Sequence, residues 1–157
     1  MVKWVMKEYA ASKNETHKHI LQVAFFINEI CKELLDRAIE HDMTKLDDEE
    51  SQLFDEYTPK LAGSTYGSDE YNAFLEGLKP ALNHHYYYND HHPEYFLNGI
   101  NDMNIIQLIE MLCDWKAATM RHKDGNIYKS IEINQKRFGY SDEIKRLLTQ
   151  TVEYMKW

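Results

Sequence analysis

"MNIIQLIEMLCDWKAATMRHK", residues 103–123, is apolar on nearly every side of a helical wheel. It shows none of the strict alternation of a half-buried strand. A helix of this kind belongs at the buried centre of a bundle, and it sets the expected fold class as all-α. One residue does not suit such a centre. Asp114 stands in mid-helix between Cys113 and Trp115. An unpaired buried carboxylate costs several kcal/mol, on the order of a domain's whole spare stability. It therefore needs a metal, strong donors, or an ion pair with Lys116, Arg121 or a lysine elsewhere.

The flanking segments read as further helices. "THKHILQVAFFINEICKELLDRAIE" opens on Thr16 as an N-cap and repeats Ile20, Val23, Ile27, Ile30 and Leu34 at spacings of three and four, ending near His41 and Asp42. A shorter helix is expected from Leu46 to Tyr57, with Asp47, Asp48 and Glu49 at its positive N-terminal end. "TPKLAGSTYGSD" reads as a loop. Ser68 caps a third helix from about Asp69, which carries Phe74, Leu78, Leu82 and His85 on one face, and Pro80 is expected to kink or split it. "NDHHPEYFLNGIND" is irregular, and Asp124-Gly125 closes the central helix. A short helix covers Ile127 to Phe138, and Ser141 caps the last one. No repeat, low-complexity tract or linker interrupts the chain, so one helical domain over residues 1–157 is expected.

Composition narrows the function classes. With 157 residues, 43% hydrophobic and 28% charged, the chain can bury one core. Its net charge of −8 disfavours a nucleic-acid backbone as the main ligand, though not a small phosphate ester held by a metal. There is no apolar run of ~18 residues to span a membrane and no apolar signal-peptide stretch at the N-terminus. Cys31 and Cys113 lie in apolar helical contexts and read as buried thiols in a reducing compartment. The cytoplasm is the expected location.

Histidine carries the chemistry. There are 8, four of them within "HHYYYNDHH". His41 and Asp42 are adjacent where a long helix ends. If the third helix continued, His85 and His92 would share one face, and His84 and His91 another. Each histidine alone reads as an ordinary surface or hydrogen-bonded residue. Together with Asp42 and Asp114, neutral imidazoles and carboxylates form the ligand set of first-row transition metals, with no need of sulfur.

The ordered set His, His-Asp, His-His and a late lone Asp resembles the HD-domain superfamily of metal-dependent phosphohydrolases, an all-helical fold. "HILQV" from His19 is similar to that family's first-histidine helix, "HDMTK" to its His-Asp-x-x-Lys signature, and Asp114 in "MLCDW" to its final aspartate. The finer pattern of T-x-x-H, HD-x-(S/T)-K, HH-x(5)-HHPE and EMLCDW-x-A resembles an uncharacterised HD-like family of bacteriophages and bacteria, over about residues 14 to 150.

The resemblance implies His19, His41, Asp42 and Asp114 as ligands of one ion, with His17 competing with His19. His85 and His92, or their neighbours His84 and His91, would add ligands for a second ion, bridged by Asp42. The cofactor implied is one or two divalent ions of Fe, Mn, Co, Ni or Zn. Lys45 is expected either to neutralise a phosphate or to be solvated. Glu50 is a general base, an orienter of a ligand histidine, or a surface acid. His84, His91, Glu94, Trp115, Lys116 and Arg121 are the expected substrate contacts, and Tyr86, Tyr87 and Tyr88, with Trp115, either wall the pocket, stack on a base or pack. The first expectation is hydrolysis of a small phosphate ester, a nucleotide by preference. Its rivals are an oxidoreductase with two irons and a binding protein without turnover. A homo-oligomer stays open.

Overall fold

Turn and cap residues set where these helices start and stop, and a computed structural model shows the result. Described residues are 2–64, 68–121 and 125–157, with side chains described from residue 11 onward. Among these residues six α-helices follow in order: α1 Val2–Glu40, α2 Asp48–Gly63, α3 Asp69–Tyr88, α4 Ile105–Thr119, α5 Ile127–Phe138 and α6 Asp142–Met155. Short 3-10 helices cover Met43–Leu46, Pro93–Tyr95 and Gly99–Asp102. Among the described residues there is no strand, so the all-α class holds. No helix among them is long and apolar enough to cross a membrane. Two compact units divide the chain, residues 1–39 and residues 40–157.

The first unit is α1. Thr16 does not cap it. The helix begins at Val2, and Thr16 lies inside it with its Oγ1 donating to the Ser12 carbonyl at 2.9 Å. Lys, Met, Glu and Ala before Thr16 are good helix formers, and a hydroxyl that bonds back one turn fits inside a helix.

The second unit carries the core. Met111, Leu112 and Trp115 of α4 pack with Ile127 and Ile131 of α5, Leu148 and Val152 of α6, and Ile100, Met103 and Tyr140 from the connections. Helix α4 is not buried all round. It buries one stripe, while Ile105, Ile109 and Cys113 are exposed. The expected burial of the thiols is corrected with it, since Cys31 and Cys113 are both exposed. On a helix, residues three and four apart share a face. Met111, Leu112 and Trp115 fall on the buried face, and Cys113 falls opposite.

Helix α2 packs along α3. It runs past Tyr57 and through Pro59 to Gly63, so much of the expected loop is helix. Helix α3 likewise passes Pro80 unbroken. Ser68 caps α3 by accepting from the Tyr71 N–H at 3.1 Å, and Ser141 caps α6. Helix α4 stops at Thr119, before Gly125, and Asp124 lies outside the described residues. Asn104 and Gln107 form a reciprocal capping box at the start of α4.

Candidate metal centre

Four segments of the second unit bring the polar residues together. Asp42 ends the turn after α1 with φ 59°, a left-handed conformation that Asp tolerates better than most residues. Its carboxylate is the centre of the site. The last turn of α3 supplies His84 and His85, the connection after it supplies His91 and His92, and α4 supplies Glu110 and Asp114.

His85 Nε2 lies 3.0 Å and His91 Nε2 3.4 Å from Asp42 Oδ1. His92 Nε2 lies 2.9 Å from His85 Nε2. Asp42 Oδ1 and His91 Nε2 are nonetheless buried without an aligned hydrogen bond. Buried polar atoms in native proteins are normally bonded, and exceptions call for an explanation such as an ion. Ligand atoms around an ion at ~2.0–2.1 Å sit about 3 Å from one another, close to the 2.9–3.4 Å of these three pairs, and all four atoms lie within 4.8 Å of one another. Asp42, His85, His91 and His92 thus form a group that could hold a metal, with three nitrogens and one oxygen. A second group, His41, Asp42 and Asp114, adjoins it through the same aspartate. His41 Nε2 is 3.6 Å from Asp42 Oδ2 and 3.8 Å from Asp114 Oδ1.

The far nitrogens are held from behind. Glu110 Oε1 sits 2.8 Å from His41 Nδ1 and 3.2 Å from His91 Nδ1. Glu50, fully buried, places one oxygen 3.0 Å from His85 Nδ1 and the other 2.7 Å from His84 Nδ1. A carboxylate on Nδ1 fixes the tautomer that leaves Nε2 free for a metal. Thr44 Oγ1 also approaches His85 Nδ1 at 3.0 Å, and Asn89 Nδ2 donates to Thr44 Oγ1 at 2.9 Å.

Electrostatics agree with this arrangement. Burial would raise the Asp42 carboxyl, but His85, His91 and Lys45 outweigh it and hold the group well below the usual carboxylate range. Burial, then the charges of His91 and His85, push His92 down to about 3, so its imidazole is neutral at pH 7. Asp114 and Glu110 raise His41 to about 10. Burial likewise opposes ionisation of Asp114, and His41 reverses this, leaving its carboxyl lowered.

His17 and His19 lie on α1 of the first unit, and among the described residues the groups able to share an ion consist of second-unit residues. His91, expected at the substrate or as an alternative ligand, is in the group that could hold a metal, together with both His85 and His92. His84 stands behind it on Glu50, which is neither a surface acid nor open to solvent. Trp115 is a core residue, stacked on Phe138 with ring centres 6.3 Å apart and 9° between planes, because it shares the buried face of α4. Lys116 is half-buried on α4. Glu94 pairs with Arg137 at 2.6 Å. Lys45 contacts Asp42 Oδ2 and lies 5.4 Å from the Phe54 ring centre. Lys45 and Arg121 line one pocket of about 380 Å³ with Phe54, Leu61, Tyr71 and Leu78.

The sequence reading missed Glu110, Thr44 and Asn89. Glu110 carried a usable signal, since it lies four residues before Asp114 and so on the same face of α4. A protein-family model described as a family of unknown function (DUF5662) matches residues 8–156. The chain belongs to this family. No curated protein and no solved structure matches it. Membership of DUF5662 assigns no reaction, so the chemistry rests on the residues themselves.

Proposed function

We propose that the protein is a metal-dependent hydrolase of a small phosphate ester. The observation that carries this is the double engagement of Asp42. One oxygen, itself without a hydrogen bond, faces the Nε2 atoms of His85 and His91, and the other faces Lys45, which also lines a pocket with Arg121. Asp42, His85, His91 and His92 would hold a first divalent ion, and His41, Asp42 and Asp114 a second. Such an ion, when bound, supplies a nucleophilic water at neutral pH and draws charge from a phosphoryl oxygen. Lys45 and Arg121 bind the phosphoryl oxygens and offset the negative charge that grows in the transition state. Glu110 and Glu50 act as positioning residues through the histidines they orient. Phe54, Leu61 and Leu78 present an apolar wall to the body of the ester. The motifs resembling the HD-domain superfamily support the same reading; the proposed setting is the cytoplasm, and a nucleotide is the first ester to try.

The test is a screen of phosphate esters against protein loaded in turn with Mn, Fe, Co, Ni and Zn. At least one ester should be cleaved, and chelation should abolish turnover. Lys45→Met should keep its metal and lose about 10²–10³ in rate. Full metal occupancy with no ester cleaved would overturn the reading. Oxygen uptake by the iron-loaded protein would then point to an oxidoreductase, and nucleotide binding without turnover to a binding protein.

A further inference from the structure

A larger cleft, of about 920 Å³, opens where the end of α3 meets the Pro93–Tyr95 turn and α5. The metal groups do not use it. Tyr86, Tyr87, Tyr88 and Tyr95 supply aromatic walls, and Glu94 and Arg137 supply charge. Three of the tyrosines keep much of their surface open: Tyr87 is 72% exposed, Tyr88 60% and Tyr95 49%. Their rings stand 4.9 Å apart and nearly perpendicular, at 84°. Exposed aromatic surface gathered in a concavity marks a place where a ligand stacks.

The polar pair decides which ligand. Arg137 Nη2 donates to Glu94 Oε1 at 2.6 Å. A guanidinium has five N–H donors and a carboxylate two acceptor oxygens, so both keep capacity for a ligand. A carboxylate beside a guanidinium complements a planar edge that carries N–H donors next to a carbonyl. Guanine has two adjacent N–H donors and the neighbouring O6. Adenine has a single amino donor and no carbonyl. Stacking on tyrosine tolerates any base, so the edge sets the preference.

We propose that this cleft is a second binding site, for a guanine-type ring stacked on its tyrosines and held at the edge by Glu94 and Arg137. The site is next to the metal groups without sharing their residues. Its inner wall, Tyr86, packs on His92 with ring centres 4.9 Å apart. The proposal goes beyond the hydrolase reading and does not need a bound metal.

The experiment is calorimetry and NMR of the full chain, treated with chelator and titrated with guanosine, adenosine and cytidine. These probes carry no phosphate, so the result is independent of ester turnover. Guanosine should bind with shifts at tyrosine ring signals, and adenosine about tenfold more weakly. Tyr87→Ala should lower guanosine affinity about tenfold by removing a stacking face. Glu94→Gln should lower it similarly and erase the preference over adenosine, and both substitutions are at the surface and should leave the melting temperature within a few degrees. Absence of guanosine binding at millimolar ligand would overturn the proposal. Equal binding of the three nucleosides would overturn it too, as would affinity unchanged in both variants.

Discussion

Asp114 and Trp115 are neighbours on α4, yet they serve regions built by opposite rules. Trp115 joins an apolar core made by α4, α5 and α6, where each side chain adds contacts of the same kind and no single atom has a special partner. Asp114 belongs to a polar centre drawn from four segments, where particular atoms face each other at 2.8–3.8 Å and two of them lack a hydrogen bond. The core lowers free energy by removing apolar area from water. The centre holds buried polar atoms that protein partners alone leave unsatisfied, which is costly unless a ligand completes it. One region therefore supplies apolar packing and the other a group that could hold a metal, on two faces of one helix.

Substitutions that separate the two regions should break or sharpen this contrast. The largest effect expected is at Asp42. Adding Zn or Mn at 1,000 times its Kd should raise the stability of the wild type by about 4 kcal/mol. Asp42→Ala should abolish that gain, as read by thermal melts with and without metal. Trp115→Ala should cost about 3–5 kcal/mol with or without metal, yet keep the full metal-induced gain. If Trp115→Ala lost the gain and kept its fold, the two regions would not be separable.

Glu110→Gln should weaken metal binding about 10- to 100-fold, because Glu110 orients His41 and His91 without being needed by the core. A competition assay with a chromophoric chelator reads this directly. An unchanged affinity would remove Glu110 from the account.

The smallest effect concerns pH. In the metal-free protein His41 is raised to about 10 from 6.5 by Asp114 and Glu110. A raised folded-state value means the imidazolium stabilises the fold fully below pH 6.5, and this contribution is lost as pH rises toward 10. Chelated wild type should lose several degrees of melting temperature across that window, and chelated His41→Gln should lose less. Equal slopes would contradict the pairing of His41 with the two carboxylates.

Much of this was legible in the sequence, for reasons that differ by residue. The all-α class followed from apolar spacing, and Ser68 and Ser141 announced two helix starts because a hydroxyl before a helix has one obvious use. His85 was placed on the buried face of α3 by its phase with Leu78, Asp114 stood out as a charge in an apolar helix, and Asp42 as the partner of His41 in a His-Asp pair. What stayed hidden was settled by tertiary contact. α4 reads as apolar on all sides, but composition does not say which face is covered. His91 and His92 could not be phased with α3, because the helix ends at Tyr88 and both rings then turn inward. Trp115 next to Asp114 invited a role at the site, yet a step of one residue on a helix changes faces. Glu50 looked like one more surface acid in an acidic run, and only the packing of α2 on α3 buries it.

The most direct test of the central claim is elemental analysis of the purified protein beside its His41→Ala/Asp42→Ala variant. One or two transition-metal ions are expected per wild-type chain and none in the folded variant. A wild type that stays metal-free after incubation with Mn, Fe, Co, Ni and Zn would contradict that claim.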